Sequence, residues 1–165
     1  MAVCYHVIMD LLPRPAIKKW LDVAKEVAKG STCLRPEAQI GSIAVRDGKL
    51  LASGMNGVFG KKPACSTRGY CIRTKNNIES GTRREVAFCI CAEQRMICEA
   101  ARNDIHLENA DVIVTHLPCA ICVRMMIETG IKRVYYEVDY PNQFSRDIAE
   151  MAGFELVNIK KNYNL

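Results

Sequence analysis

Three sulfurs and one carboxylate stand where chemistry could be done. Cys119 and Cys122 lie in Pro118-Cys119-Ala120-Ile121-Cys122, where an apolar run hands over to a helical pattern. Proline suits a helix start, because its missing N–H would be unpaired there anyway. Sulfurs at this spacing share one face of the first turn, and the positive end of the helix dipole favours their thiolate form. Such a pair serves a catalytic metal, a redox site, half of a structural zinc site or a plain core. Cys91-Ala92-Glu93 opens a second helical pattern and narrows the choice. Three thiolates around zinc leave a fourth position open, the ligand count of a catalytic site. Zinc lowers the pKa of a bound water to roughly 7. A carboxylate two residues from a ligand reaches that water without binding the metal, and Glu93 is placed for this. Taken singly, Glu93 is a surface helix residue and Cys91 a buried thiol; the two motifs together favour the metal.

Elements that could position these groups follow from periodicity. Ile17, Trp20, Leu21, Ala24, Val27 and Ala28 recur at helical spacing and predict a helix over 15–29. Runs 40–46 and 49–55 are apolar and partly β-branched, and Asp47-Gly48 between them accepts the positive φ angles of a tight turn, so a hairpin is expected. Over 57–90 the pattern fails: the segment is polar and rich in Gly, Arg and Asn, and reads as one long inserted loop. Beyond it the chain alternates: helix 92–102, strand 111–116, helix 119–129, strand 132–137, helix 145–151 and strand 154–159. Two strands followed by three αβ units imply an α/β fold, a mixed five-stranded sheet with helices on both faces. The whole chain, 1–165, reads as one domain.

Composition limits the rest. With 165 residues, 49% of them hydrophobic, the chain can bury a core around one sheet. A formal charge of +5 spread along the chain points only weakly to an anionic ligand. Polynucleotide grooves want basic tracks and stacking platforms, and 7% aromatic residues argue against a nucleic-acid partner. The apolar start, 1–12, has neither a charged leader nor a small-residue cleavage site, and no apolar run is long enough to span a bilayer. A cytoplasmic protein without membrane contact is expected. Nine cysteines in a reducing compartment are free for metals rather than disulfides.

The paired motifs resemble the zinc-dependent cytidine and deoxycytidylate deaminase superfamily. The likeness extends to Ser31-Thr32-Cys33-Leu34-Arg35, Gly54-Met55-Asn56-Gly57, Ala92-Glu93-Gln94, Thr115-His116-Leu117-Pro118-Cys119 and Thr129-Gly130-Ile131-Lys132-Arg133, with Tyr136 and Tyr140. In order and spacing these look like the deoxycytidylate (dCMP) deaminase branch. The resemblance implies the three-layer α/β/α fold of that superfamily and hydrolysis of dCMP to dUMP and ammonia, with Glu93 carrying protons to N3 and to the leaving amine. By the same resemblance the backbones of Ala92 and Leu117 position the base, Asn56 bonds the sugar or base, Tyr140 lies near the nucleotide, and Arg35 meets the phosphate. Arg73, Arg83 and Arg84 are alternatives for that last role. The resemblance also implies a homo-oligomer, hexamer or dimer, and a nucleoside triphosphate effector as in some relatives.

Two departures set further expectations. Deoxycytidylate deaminases usually carry histidine where this chain has Cys91; cysteine there is usual in the small tetrameric cytidine deaminases. That favours, as an alternative substrate, another amino-heterocycle such as free cytidine or deoxycytidine, a modified cytosine nucleotide or a specialised metabolite. A third thiolate adds negative charge that some group must offset. In the tetrameric enzymes an arginine directly after the glutamate does so; here Gln94 takes that place, and Arg95 and Arg124 are the candidates. Some deoxycytidylate deaminases hold a second, structural zinc at positions resembling Cys33, Cys65 and Cys89, and Cys71 would complete four ligands. The other reading of these four is reduced thiols in a mobile loop. Cys4 and Cys98 are expected to be packing residues, Cys98 on the inner face of its helix. Of the three histidines, His6, His106 and His116, none is expected to bind metal, and His116 is expected to line the pocket.

Overall fold

The computed structural model describes residues 11–60, 64–79, 82–140 and 142–165. Cys4, His6 and the apolar start up to residue 10 lie outside them. Helix α1 (Arg14–Ala28) leads into the hairpin β1 (Gly41–Arg46) and β2 (Lys49–Met55). Asp47 and Gly48 turn it at φ 53° and 71°, the left-handed pair that a two-residue connection requires. After the excursion come α4 (Ala92–Arg102), β5 (Asp111–His116), α5 (Ala120–Glu128), β6 (Arg133–Val138), α6 (Gln143–Ala152), β7 (Glu155–Asn158) and a short terminal helix α7 (Ile159–Tyr163). The sheet order is β2-β1-β5-β6-β7. The pairs β2–β1 and β1–β5 are antiparallel, and β5–β6 and β6–β7 are parallel. The mixed five-stranded sheet expected from the alternation is present.

Side-chain alternation along the strands builds a core on each face. Ile43, Val45, Ile113, Tyr135 and Val157 meet Ile17, Trp20 and Leu21 of α1 and Ile159 of α7. Ala44, Val112, Val114, Val134 and Tyr136 meet Met96 and Ala100 of α4, Val123 and Met126 of α5 and Ala149 of α6. The second layer carries the chemistry. Gly54 lets α4 lie directly on β2: a Cβ there would sit 2.3 Å from the Ala92 carbonyl oxygen and 2.5 Å from the Met96 nitrogen.

Two expectations need correction. The 57–90 segment is not one loop. Its ends pair as strands β3 (Gly57–Val58) and β4 (Cys89–Ile90), Gly57 opposite Ile90 and Val58 opposite Cys89. Between them lie single-turn helices α2 (Cys65–Arg68) and α3 (Ile72–Lys75) and a 3-10 turn, Arg84–Val86. One turn or two paired residues leave too short a pattern for periodicity to detect. The second correction is Cys98, which is exposed. Helix α4 buries Ala92, Glu93, Met96 and Ala100, and Cys98, two residues beyond Met96, points to the opposite side. Among the described residues no helix is long and apolar enough to cross a membrane.

Candidate functional site

Each sulfur ligand is presented by a helix start. Cys91 is the N-cap of α4 and Cys119 the N-cap of α5, with Cys122 in the first turn of α5. The Gln94 side chain accepts the Cys91 backbone N–H at 2.9 Å, fixing the first cap. Buried Ser145 of α6 donates its hydroxyl to the Pro118 carbonyl at 2.7 Å and holds the strand-to-helix handover before the second. Sulfur of Cys91 lies 4.0 Å from that of Cys119, and Cys119 lies 3.5 Å from Cys122. A four-coordinate zinc with bonds of about 2.3 Å spaces its sulfurs by about 3.8 Å, so the trio fits zinc. Hydrogen bonding within the trio pulls the Cys119 thiol down and holds the Cys91 and Cys122 thiols up. Among the described residues these three form the one cluster of potential ligands within mutual reach of a metal.

Glu93 lies one residue into α4, only 4% exposed. Burial, reinforced by the neighbouring Cys119 sulfur, pushes its carboxyl up to about 7. It faces a cleft of about 360 Å³ that also borders Cys119, Leu117, His116, Asn56 and Tyr140. The site lies where β5 and β6 end, the usual place for ligands at a parallel sheet. Asn56 is held by three hydrogen bonds. Its Oδ1 accepts from the Ser31 hydroxyl at 2.7 Å and the Ile40 N–H at 2.8 Å, and its Nδ2 donates to the Ala38 carbonyl at 2.8 Å. One Nδ2 proton remains. Ala92 is buried against Gly54. His116 lines the cleft as expected, with Nδ1 3.0 Å from the Thr115 hydroxyl oxygen, and burial lowers its pKa.

Of the four arginines considered for the phosphate, Arg35, Arg73 and Arg84 line the cleft. Arg35 is at the exposed mouth, 3.8 Å from Glu37. Arg73 is buried and donates to the Glu79 carbonyl. Arg83 is exposed and paired with Glu85 at 3.6 Å. Cys33, Cys71 and Cys89 border the same cleft, and Cys89 senses Cys65, Cys71 and Cys33 electrostatically. These four are neighbours, without three of their sulfurs reaching the close spacing of the Cys91 trio.

The arginine that reaches a sulfur of the trio is neither of the two expected from sequence. Arg95 is spent on the carbonyls of Met55, Gly57 and Val58, at 2.9, 3.2 and 3.1 Å, where it pins the start of the excursion. Arg124 is exposed. Arg84 instead donates to Cys91 Sγ at 3.1 Å. Burial alone would lower its pKa, but the charge that the Cys91 and Cys119 sulfurs carry as thiolates outweighs this and raises it. Nothing in the linear pattern distinguishes Arg84 from the other arginines of the excursion; the only signal was the charge that had to be met.

Residues 15–138 match the family described as the cytidine and deoxycytidylate deaminase zinc-binding region. The chain is 30% identical over 135 residues to ComE operon protein 2 of Bacillus subtilis, covering 81% of this chain and 66% of that one. It is 27% identical over 138 residues to the deoxycytidylate deaminase of Schizosaccharomyces pombe, covering 83% and 42%. The chain therefore spans less than two thirds of the length of these relatives. The apo dCMP deaminase of cyanophage S-TIM5 superposes with a TM-score of 0.68 at 22% identity, over 89% of this chain and 99% of that one, and so shares the fold. The protein belongs to the cytidine and deoxycytidylate deaminase zinc-binding family.

Proposed function

We propose that the protein hydrolyses the amino group of a cytosine nucleotide, converting dCMP to dUMP and ammonia. The observation that carries this is Glu93, a buried carboxyl with its pKa pushed up to about 7 beside three sulfurs spaced for zinc. The deoxycytidylate deaminase of fission yeast and the fold of the cyanophage enzyme support the choice of substrate. Zinc, held by Cys91, Cys119 and Cys122, supplies a Lewis acid that makes water acidic near neutral pH. A buried carboxyl within reach of that water can both take and return protons. Glu93 removes a proton from the attacking water, delivers it to N3, and passes the next to the departing amine, so the C4–N bond breaks as C4 keeps the oxygen.

The backbones of Ala92 and Leu117 grip the base, the remaining Asn56 Nδ2 proton meets the sugar or base, and Tyr140 flanks the nucleotide. Arg35 receives the phosphate at the cleft mouth. All five border or adjoin the cleft. The decisive experiment measures ammonia release from dCMP, CMP, deoxycytidine and cytidine by zinc-quantified protein, with Glu93→Gln beside it. The expected result is preference for dCMP and a loss of about 10²–10⁴-fold in the variant with zinc retained. Preference for a free nucleoside would move the reading to that substrate, and no turnover by zinc-loaded protein would overturn it.

We also propose that Cys33, Cys65, Cys71 and Cys89 close on a structural zinc. Their clustering at the excursion supports this, because metal binding free energy becomes folding free energy for a segment with little core of its own. Two equivalents of zinc per chain, reduced to one by Cys65→Ser, would agree; one equivalent in both would refute it. Assembly as a homo-oligomer is supported by Phe144 and Met151, exposed to 74% and 88% on α6. Sedimentation of wild type and Phe144→Ser tests it.

A further inference from the structure

We infer that Arg84 is the cationic partner of the Cys91 ligand and the reason this chain can work with three thiolates at its metal centre. The inference rests on the zinc site of the family, and only its kinetic arm rests on the deaminase reading.

A dication bound by three thiolates carries one net negative charge, which holds back ionisation of a bound water. A charge or hydrogen-bond donor on a ligand sulfur offsets this, and it acts most strongly where water is excluded. Arg84 meets both conditions: its guanidinium donates to Cys91 Sγ at 3.1 Å in a half-buried place. The charged or ionisable groups that act on it are Cys91, Cys119, Tyr140 and Glu93, and it acts in turn on Cys89. Each other arginine considered is engaged elsewhere or faces solvent. Arg95 binds three carbonyls, Arg73 a carbonyl and Arg35 the Glu37 carboxylate, while Arg124 is exposed.

The backbone is arranged to deliver this side chain. Arg83 adopts a left-handed conformation at φ 43° and ψ 53°, a costly choice for a residue with a side chain. It turns its own guanidinium outward to Glu85 and starts the 3-10 turn that begins with Arg84. The β3–β4 ladder then ties the excursion to the start of α4, one residue before Cys91. Arg84 also borders both the cleft that Glu93 faces and a second cleft of about 240 Å³ lined by Cys91 and Cys119 as well. The excursion thus supplies part of the metal site.

The test uses the zinc-loaded protein and three variants. In Arg84→Gln, zinc affinity at pH 7, read by competition with a chromophoric chelator, falls by about 10- to 100-fold. The acidic limb of kcat/KM moves up by about one pH unit, tenfold less activity on that limb. Arg84→Lys keeps a point charge without the planar fork and falls between wild type and Arg84→Gln. In a Cys91→His background, where the ligand is neutral, Arg84→Gln changes zinc affinity by less than about threefold, because the two positions are coupled. Unchanged zinc affinity in Arg84→Gln with a raised KM would assign Arg84 to the nucleotide and overturn the inference. So would equal losses in the Cys91 and Cys91→His backgrounds, or a lowered Tm with wild-type metal binding. The chelator measurement needs no substrate, so its result stands apart from the fate of the dCMP reading.

Discussion

Gly54→Ala should disable the site without altering any side chain that performs chemistry. The added methyl would lie 2.3 Å from the Ala92 carbonyl oxygen and 2.5 Å from the Met96 nitrogen, both helix backbone with no rotamer to change. Ordinary contact begins near 3.4 Å, so α4 must retreat from β2 by about 1 Å. That helix carries Cys91 at its cap and Glu93 in its first turn, whereas Cys119 and Cys122 stay with α5. The 4.0 Å separation of Cys91 from Cys119 would open, although zinc tolerates only about 0.2 Å in its bonds. Overpacking of this kind costs about 1–3 kcal/mol of stability. A 1 Å misplacement of reacting groups costs about 10²-fold in rate. The assay is zinc content after dialysis, thermal unfolding and ammonia release from dCMP. Gly30→Ala is the control, since the atom it meets, at 3.0 Å, is the flexible end of Met55. Wild-type zinc content and turnover in Gly54→Ala would show that α4 does not set the metal geometry.

His116 has its pKa lowered, chiefly by burial, so below the ordinary histidine value near 6.5 the unfolded chain binds the extra proton and stability falls with pH. His116→Asn should therefore narrow its stability difference from wild type, or overtake it, on going from pH 7.5 to 5.5, as read by urea titration at each pH. Arg133 is fully buried on β6 between Asp111 at 3.3 Å and Glu155 at 3.2 Å, its partners on β5 and β7. Arg133→Met leaves two carboxylates facing each other and should cost about 3 kcal/mol in the denaturation midpoint analysis. Cys98→Ser should change stability by less than about 0.5 kcal/mol, as for an exposed site; a core-sized loss would restore Cys98 to the interior.

Long periodic elements were legible in sequence. The helix 92–102 and the strand 111–116 match the observed α4 and β5, and the Asp47-Gly48 hairpin turns where its left-handed pair allows. The expected α5, 119–129, begins one residue later because Cys119 is a cap, and β7 ends early where Asn158 caps α7. The excursion defeated pattern reading. Its pieces are single turns and two-residue strands whose stability comes from neighbours distant in sequence. The outward position of Cys98 is not legible in sequence because the inner face of α4 is set by Ala92, Glu93, Met96 and Ala100, a stripe that small and charged residues mark poorly.

Sequence by itself brought forward the candidate metal ligands and the carboxyl beside them, because residue type and spacing along one helix start suffice to place Cys119 with Cys122 and Cys91 with Glu93. Only tertiary structure decided which charge stands against the third thiolate. Arg95 is closer to Cys91 in sequence, yet it faces the carbonyls of β2 and β3, and Arg84 reaches the sulfur. Local spacing fixes direction within one helix. Across a turn, a left-handed residue and a two-residue ladder, direction is set by packing, and no linear pattern encodes it.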